Sequence, residues 1–305
     1  MLAMRLLLSA LFAAATAGAA HLAISAAVTF FMMSYDERIF DVRAFESPLY
    51  ASLIGGYLES RDGKIDRLAI GSSFTYGYPF APEFAYPTAI GAVNAGVLSG
   101  DLEMSFHASL CEMRARNIRA QKLILEIPIV NEAYTLVHYS RRPMQCDEGR
   151  RASLFEFALL RPWGLQWLGM VSDPHQVRLE GPVDIKTVDP GYFVDLDEFE
   201  PFRKEFTDRL RANYTLAQQV SDEAFLFVSP IYIGGIEAAG DDPIKVRALF
   251  DIAQSACIDV AGDRCIRTDG YLDNPAFYAN LTHMNITGLK QFADDTMKIV
   301  EGTPR

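Results

Sequence analysis

From residue 67 onward, short apolar runs alternate with longer stretches of helical spacing. Residues 67–70 predict a first strand, 89–94 a second, and 122–129, with Leu-Ile-Leu-Glu-Ile-Pro inside it, a third. Residues 224–230 predict a fourth strand and 264–268 a short fifth. Between them, apolar residues spaced by three and four predict helices over 101–117, 202–220, 243–256 and 287–300. Asp101 suits a cap with Glu103 in the first turn, and Pro243 suits a first helical position. Strands that are apolar throughout, separated by helices, predict a parallel sheet covered on both faces. Ligands of such sheets sit beyond the carboxyl ends of the strands. Ser73, Asn94-Ala95-Gly96 and Asn131 fall at those ends.

Two regions break the alternation. Between Arg5 and Asp36 there is no Asp, Glu, Lys or Arg, and Leu6 to Met33 is a 28-residue apolar stretch whose only ionisable residue is His21. A membrane span needs about 20 apolar residues, whereas the apolar region of a signal peptide has about 7–15. The run predicts an uncleaved N-terminal transmembrane helix over 1–33, with a cleaved signal ending near Ala17-Gly18-Ala19, or a buried core helix, as alternatives. Arg5 before the run, with Asp36 and Glu37 after it, places the remainder outside the cytoplasm. Residues 34–63 then form a juxtamembrane connector, with helical spacing over 47–60, and 64–305 the main domain. The second break is an insertion at about 132–223, too long for one crossover. It is rich in aromatics, among them Phe155, Phe157, Trp163, Trp167, Tyr192 and Phe193. These suit a substrate wall or lid, or packing against the domain or membrane.

Charge and cysteine usage narrow the setting. The 305 residues carry a formal net charge of -11, which argues against nucleic acid as a partner. The four cysteines, Cys111, Cys146, Cys257 and Cys265, form no Cys-x-x-Cys pair and no zinc-like spacing with His, so no metal or other cofactor is expected. An even count outside the cytoplasm permits two disulfides. Cys257 and Cys265 enclose a short acidic loop and are the favoured pair, which leaves Cys111 with Cys146; four buried thiols are the alternative.

The candidate chemistry begins at Leu68-Ala69-Ile70-Gly71-Ser72-Ser73-Phe74-Thr75-Tyr76-Gly77, an apolar run entering a tight turn. A serine held there is placed to attack an acyl carbonyl; alternatively, the small residues merely relieve crowding at a strand-to-helix turn. A serine nucleophile needs a neighbouring base, commonly His held by a third group. Of the five histidines, His21 lies in the apolar span, His107 in a predicted helix, and His138 and His175 in the insertion. His283, in a polar loop before the last helix, is the best placed.

Gly71-Ser72-Ser73, Asn94-Ala95-Gly96, a polar Asn131 after the third strand and His283-x-Asn285-x-x-Gly288 occur in an order that resembles the SGNH (GDSL-like) hydrolase superfamily. The motifs span 71–288, essentially the whole non-membrane part. The resemblance implies a flavodoxin-like three-layer α/β/α fold with a central parallel sheet of about five strands. It implies Ser73 as nucleophile and His283 as base, with the oxyanion held by the N–H groups of Ser73 and Gly96 and by the Asn131 side chain. Two positions depart from the family pattern. Ser72 stands where an Asp is usual, as in the membrane-anchored D-alanyl transfer proteins of teichoic acid systems. Asn280 stands where an Asp usually supports the histidine; its carbonyl can accept from the imidazole but brings no negative charge. In the Ser-His-Asp template that exchange costs about 10⁴ in turnover, partly through the wrong tautomer. Asp273, Asp269 or a backbone carbonyl are alternative supports.

The resulting expectation is an anchored, extracytoplasmic serine esterase or O-acyltransferase acting on acyl esters of envelope or exported carbohydrate. Its partners would be an acylated carbohydrate or acyl donor, the membrane, and a membrane-bound acyltransferase. The alternative is a catalytically degenerate domain that binds glycan or scaffolds an envelope assembly.

Overall fold

The computed structural model describes residues 58, 64–77, 80, 84–96, 101–139, 146 and 193–302, with a few positions between 9 and 23. Five strands form one parallel sheet: β1 (Lys64–Gly71), β2 (Val93–Gly96), β3 (Arg119–Ile127), β4 (Ser221–Val228) and β5 (Cys265–Ile266). Their order is β2-β1-β3-β4-β5, the flavodoxin-like arrangement. The chain moves outward from β1 to β2, then crosses to the other side for β3. The switch point therefore lies between the carboxyl ends of β1 and β3, where such folds place their ligands.

The α-helices of the main domain used below are α1 (Ser73–Tyr76), α2 (Tyr86–Ala89), α3 (Ala108–Ala115), preceded by a π-helical turn at Leu102–His107, α4 (Ile129–His138), α5 (Leu196–Phe199), α6 (Arg203–Gln219), α7 (Pro243–Ala261) and α8 (Ile286–Val300). Alternation along the strands divides the core into two layers. Leu68, Ile70, Leu123, Leu125, Leu226 and Val228 pack with residues of α3, α6 and α7. Ala69, Ile124, Phe225 and Phe227 face the other way, against Phe74, Tyr86, Leu289 and Phe292. Both sheet faces are thus covered, and the carboxyl-terminal halves of β3 and β4 are buried on both sides.

Several boundaries differ from the sequence expectations: β1 starts at Lys64, β4 spans Ser221–Val228, the helix expected over 101–117 is π-helical over Leu102–His107 and α-helical over Ala108–Ala115, and α7 runs on to Ala261. Residues 86–89 form a helical turn with Pro87 at its start, so β2 begins only at Val93. β3 stops at Ile127 because Pro128 has no N–H for a ladder. Pro128 precedes α4, which places Asn131 in a helical first turn rather than a loop. The fifth strand shrinks to Cys265–Ile266. The crossover from β3 to β4 contains α4, α5 and α6 among the described residues. Residues 140–192, apart from Cys146, lie outside the described part, and with them Phe155, Phe157, Trp163, Trp167 and Tyr192 of the insertion, while Phe193 is described and buried. The anchor expected over 1–33 and the connector over 34–63 also lie almost wholly outside it. Among the described residues no helix is long and apolar enough to cross a membrane.

Both expected disulfides are present. Cys111–Cys146 ties α3 to the β3–β4 crossover, with Cα atoms 5.4 Å apart, and Cys257–Cys265 ties α7 to β5 at 5.6 Å. Replacing either pair by serine should lower the unfolding free energy by about 2–4 kcal/mol. The loss should be larger for Cys111–Cys146, which spans 35 residues against 8. Equilibrium urea denaturation of the two double variants measures the difference.

Candidate active site

Ser73 opens α1 directly at the carboxyl end of β1. The turn is tightened by Tyr76 N–H donating to Ser72 O at 2.9 Å and Gly77 N–H to Ser73 O at 3.1 Å. Its small residues are sterically required. A Cβ on Gly71 would sit 2.1 Å from Thr75 Oγ1, and one on Gly96 would sit 2.2 Å from Tyr76 N. The crowding set out above as one of two readings is therefore real at this turn. Phe74 anchors it from below, in a cluster with Tyr86, Phe227 and Phe292 whose ring centroids lie 4.9–5.8 Å apart. Phe292 belongs to α8, so the same cluster fixes the Ser73 turn against the helix that follows the histidine loop.

That loop is closed by short-range bonds. Ala279 N–H donates to His283 O at 2.9 Å, and Asn285 N–H to Phe277 O at 2.8 Å. Asn285 caps α8 by accepting from Gly288 N–H at 3.0 Å, while its amide nitrogen donates to Ala276 O at 2.7 Å. The Asn285-x-x-Gly288 pair is thus a helix cap that also pins the loop. At the centre, Asn280 Oδ1 accepts from Thr282 N–H at 3.0 Å and His283 N–H at 2.9 Å, and lies 3.0 Å from His283 Nδ1. The other ring nitrogen, Nε2, lies 2.9 Å from Ser73 Oγ. Ser73, His283 and Asn280 are therefore in hydrogen-bonding sequence, although 210 residues separate the first two.

The tautomer follows from these contacts. Backbone N–H groups can only donate, so the Asn280 atom facing two of them is its oxygen, and the amide cannot be turned over. That oxygen also faces Nδ1, so Nδ1 carries the proton. The Nε2 lone pair is then directed at the Ser73 hydroxyl, which is the arrangement a general base needs. Thr282 Oγ1 lies 3.1 Å from the same Nδ1 and 3.4 Å from Asn280 Oδ1. The other carboxylates considered as supports are engaged elsewhere: Asp273 pairs with Arg247, and Asp269 with Arg267 at 3.0 Å. Desolvation pushes the partly exposed His283 imidazole down to about 4, from 6.5.

The oxyanion candidates are placed unequally. Asn131 lines a cleft with Ser72, Ser73, Pro128, Val130 and Ile231. Gly96 N–H instead donates to Asn94 Oδ1 at 2.9 Å, while Asn94 Nδ2 donates to Tyr76 O at 3.3 Å. The Asn94-Ala95-Gly96 motif therefore locks β2 to the back of α1, and its amide is occupied. The sequence reading passed over Glu126. It is fully buried at the end of β3, in the cleft floor, and accepts four hydrogen bonds from Ser72 and Thr75. The available signal was a carboxylate inside Leu123-Ile124-Leu125-Glu126-Ile127, since a charge is buried only where partners compensate it. Among the described residues, His107, Cys111 and Cys146 come close enough together to ligate a metal, but both sulfurs are held in the disulfide and offer no thiolate.

No family model and no curated protein matches the chain. Among solved structures, it is similar to a catalytic mutant of an acetylxylan esterase from Geobacillus stearothermophilus. That likeness has 14% identity and a TM-score of 0.39, over 77% of this chain and 94% of the other. So distant a likeness leaves the weight on the residues themselves.

Were His283 to act as the base, the neutral imidazole would be the competent form, and its lowered value would extend that range to acid. The acid limb of kcat/KM should lie well below 6.5, towards the value of about 4. For stability the sign is equally defined: the folded value lies below the unfolded one, so the contribution is present above 6.5 and is lost as pH falls towards 4. Asn280→Asp puts a negative charge beside Nδ1 and should move the acid limb upward. Because the tautomer is already correct, the gain in turnover should fall well short of about 10⁴-fold. A pH–rate profile of both proteins on a chromogenic acetate ester checks both points.

Proposed function

We propose that the chain is an SGNH-type serine esterase or O-acyltransferase that forms a seryl-acyl intermediate on Ser73. The observation that carries the reading is the run Asn280 Oδ1, His283, Ser73 Oγ, with contacts of 3.0 and 2.9 Å at opposite ring nitrogens. Ser73 Oγ attacks the acyl carbonyl as Nε2 takes its proton. The oxyanion is held by Ser73 N–H and the Asn131 side chain; Gly96 N–H joins them only if Asn94 Oδ1 releases it. Collapse of the tetrahedral adduct expels the alcohol, which recovers the proton from Nε2. A second cycle transfers the acyl group to water in an esterase, or to a sugar hydroxyl in a transferase.

The wider setting belongs to the same proposal. The apolar run over 6–33 supports a single membrane anchor, and two disulfides support an extracytoplasmic main domain. Acylated envelope or exported carbohydrate as substrate, with a membrane-bound acyltransferase as donor partner, comes from the family resemblance. Asn280 favoured a degenerate glycan-binding domain on sequence alone. Its fixed amide orientation supports the catalytic reading instead, because it holds the histidine in the productive tautomer.

A fluorophosphonate serine probe tests the proposal. Wild type should label; Ser73→Ala should not, and His283→Ala should label at least about 10²-fold more slowly. Asn131→Ala should reduce turnover of a chromogenic acetate ester by about 10²–10³. Wild-type protein that stays unlabelled where a known SGNH esterase reacts would sink the enzyme reading.

A further inference from the structure

The geometry points to Glu126 as the positioning residue for the nucleophile: its carboxylate clamps the turn on both sides of Ser73. The inference rests on Ser73 being the nucleophile. Glu126 Oε2 accepts from Ser72 N–H at 2.8 Å, Thr75 N–H at 2.9 Å and Thr75 Oγ1 at 2.6 Å, while Oε1 accepts a short bond from Ser72 Oγ. The donors lie one residue before and two after Ser73, and the carboxylate is wholly buried. A carboxylate is an acceptor-only group with room for about four bonds, which matches the four donors.

The arrangement replaces an ordinary helix cap. Ser72 occupies the N-cap position of α1, yet its side chain makes no cap bond. In the usual N-cap, that hydroxyl would accept from an N–H two or three residues on. Here it donates to Glu126, and Glu126 takes the Thr75 N–H itself. The cap is therefore supplied in trans by the central strand, which ties the position of Ser73 to β3 rather than to the turn alone. The bare Gly71 is part of the same fit, because a Cβ there would meet Glu126 Oε2 at 2.4 Å.

Two substitutions separate shape from charge. In Glu126→Gln, the amide oxygen can take the three donors of Oε2, while the amide nitrogen donates to a Ser72 hydroxyl that turns round to accept. Glu126→Leu leaves all four donors unanswered. With folding verified by circular dichroism, E126L should lose about 10²-fold in fluorophosphonate labelling and in kcat, with KM little changed, and E126Q should stay within about tenfold of wild type. Amide hydrogen exchange over 71–77 should accelerate in E126L but not in E126Q, with α7 and α8 unaltered. A folded E126L that labels like wild type, equal losses in the two variants, or unchanged exchange would each overturn the clamp. Should E126L fail to fold, Ser72→Ala and Thr75→Val each remove one hydroxyl donor, and wild-type labelling in both would overturn it equally. If wild type itself never labels, the enzyme reading fails, while the exchange data still judge the clamp.

Discussion

One amide oxygen, Asn280 Oδ1, determines what this site can do. Two backbone N–H groups hold it in place, and it in turn holds His283 Nδ1. The imidazole is therefore oriented at Nδ1 by an amide rather than a carboxylate. A carboxylate in that place would fix the same tautomer and also stabilise the imidazolium; the amide does only the first. The low value of His283 is consistent with this division, since burial opposes protonation and desolvation is its cause.

The sheet brings the rest within reach. Parallel register sets Gly71 beside Gly96 and Leu125 beside Ile70, so β1, β2 and β3 end close together. Ser73, Glu126 and Asn131 all follow from those three endings. The histidine arrives from the far end of the chain, on a loop pinned by Asn285 and seated through Phe292 on the cluster that also holds Phe74. A carboxyl group also lines the cleft, at Glu126, but its four bonds run to the turn.

Much of this could be read from residue order. The parallel sheet follows from uninterrupted apolar strands, and the placing of Ser73 and His283 follows from a glycine-flanked turn and a polar loop before the last helix. What escaped depends on contacts that periodicity does not encode. Gly96 reads as an oxyanion donor, but its N–H is taken by a side chain two residues back. Asn131 reads only as a polar residue after the third strand, because Pro128 hides the start of α4. Glu126 reads as one polar position in an apolar strand, because its partners lie 51 and 54 residues away. Asn280 reads as a loss, because its orientation depends on backbone N–H groups that only the folded loop brings to it.

The most direct test of the account is the protonation of His283 near neutral pH, read by ¹⁵N NMR of the imidazole in the resting protein and assigned with His283→Gln. The account predicts a neutral ring with the proton on Nδ1 and a bare Nε2, and Asn280→Ala should release that preference. A resting ring that is charged, or that carries its proton on Nε2, would contradict it.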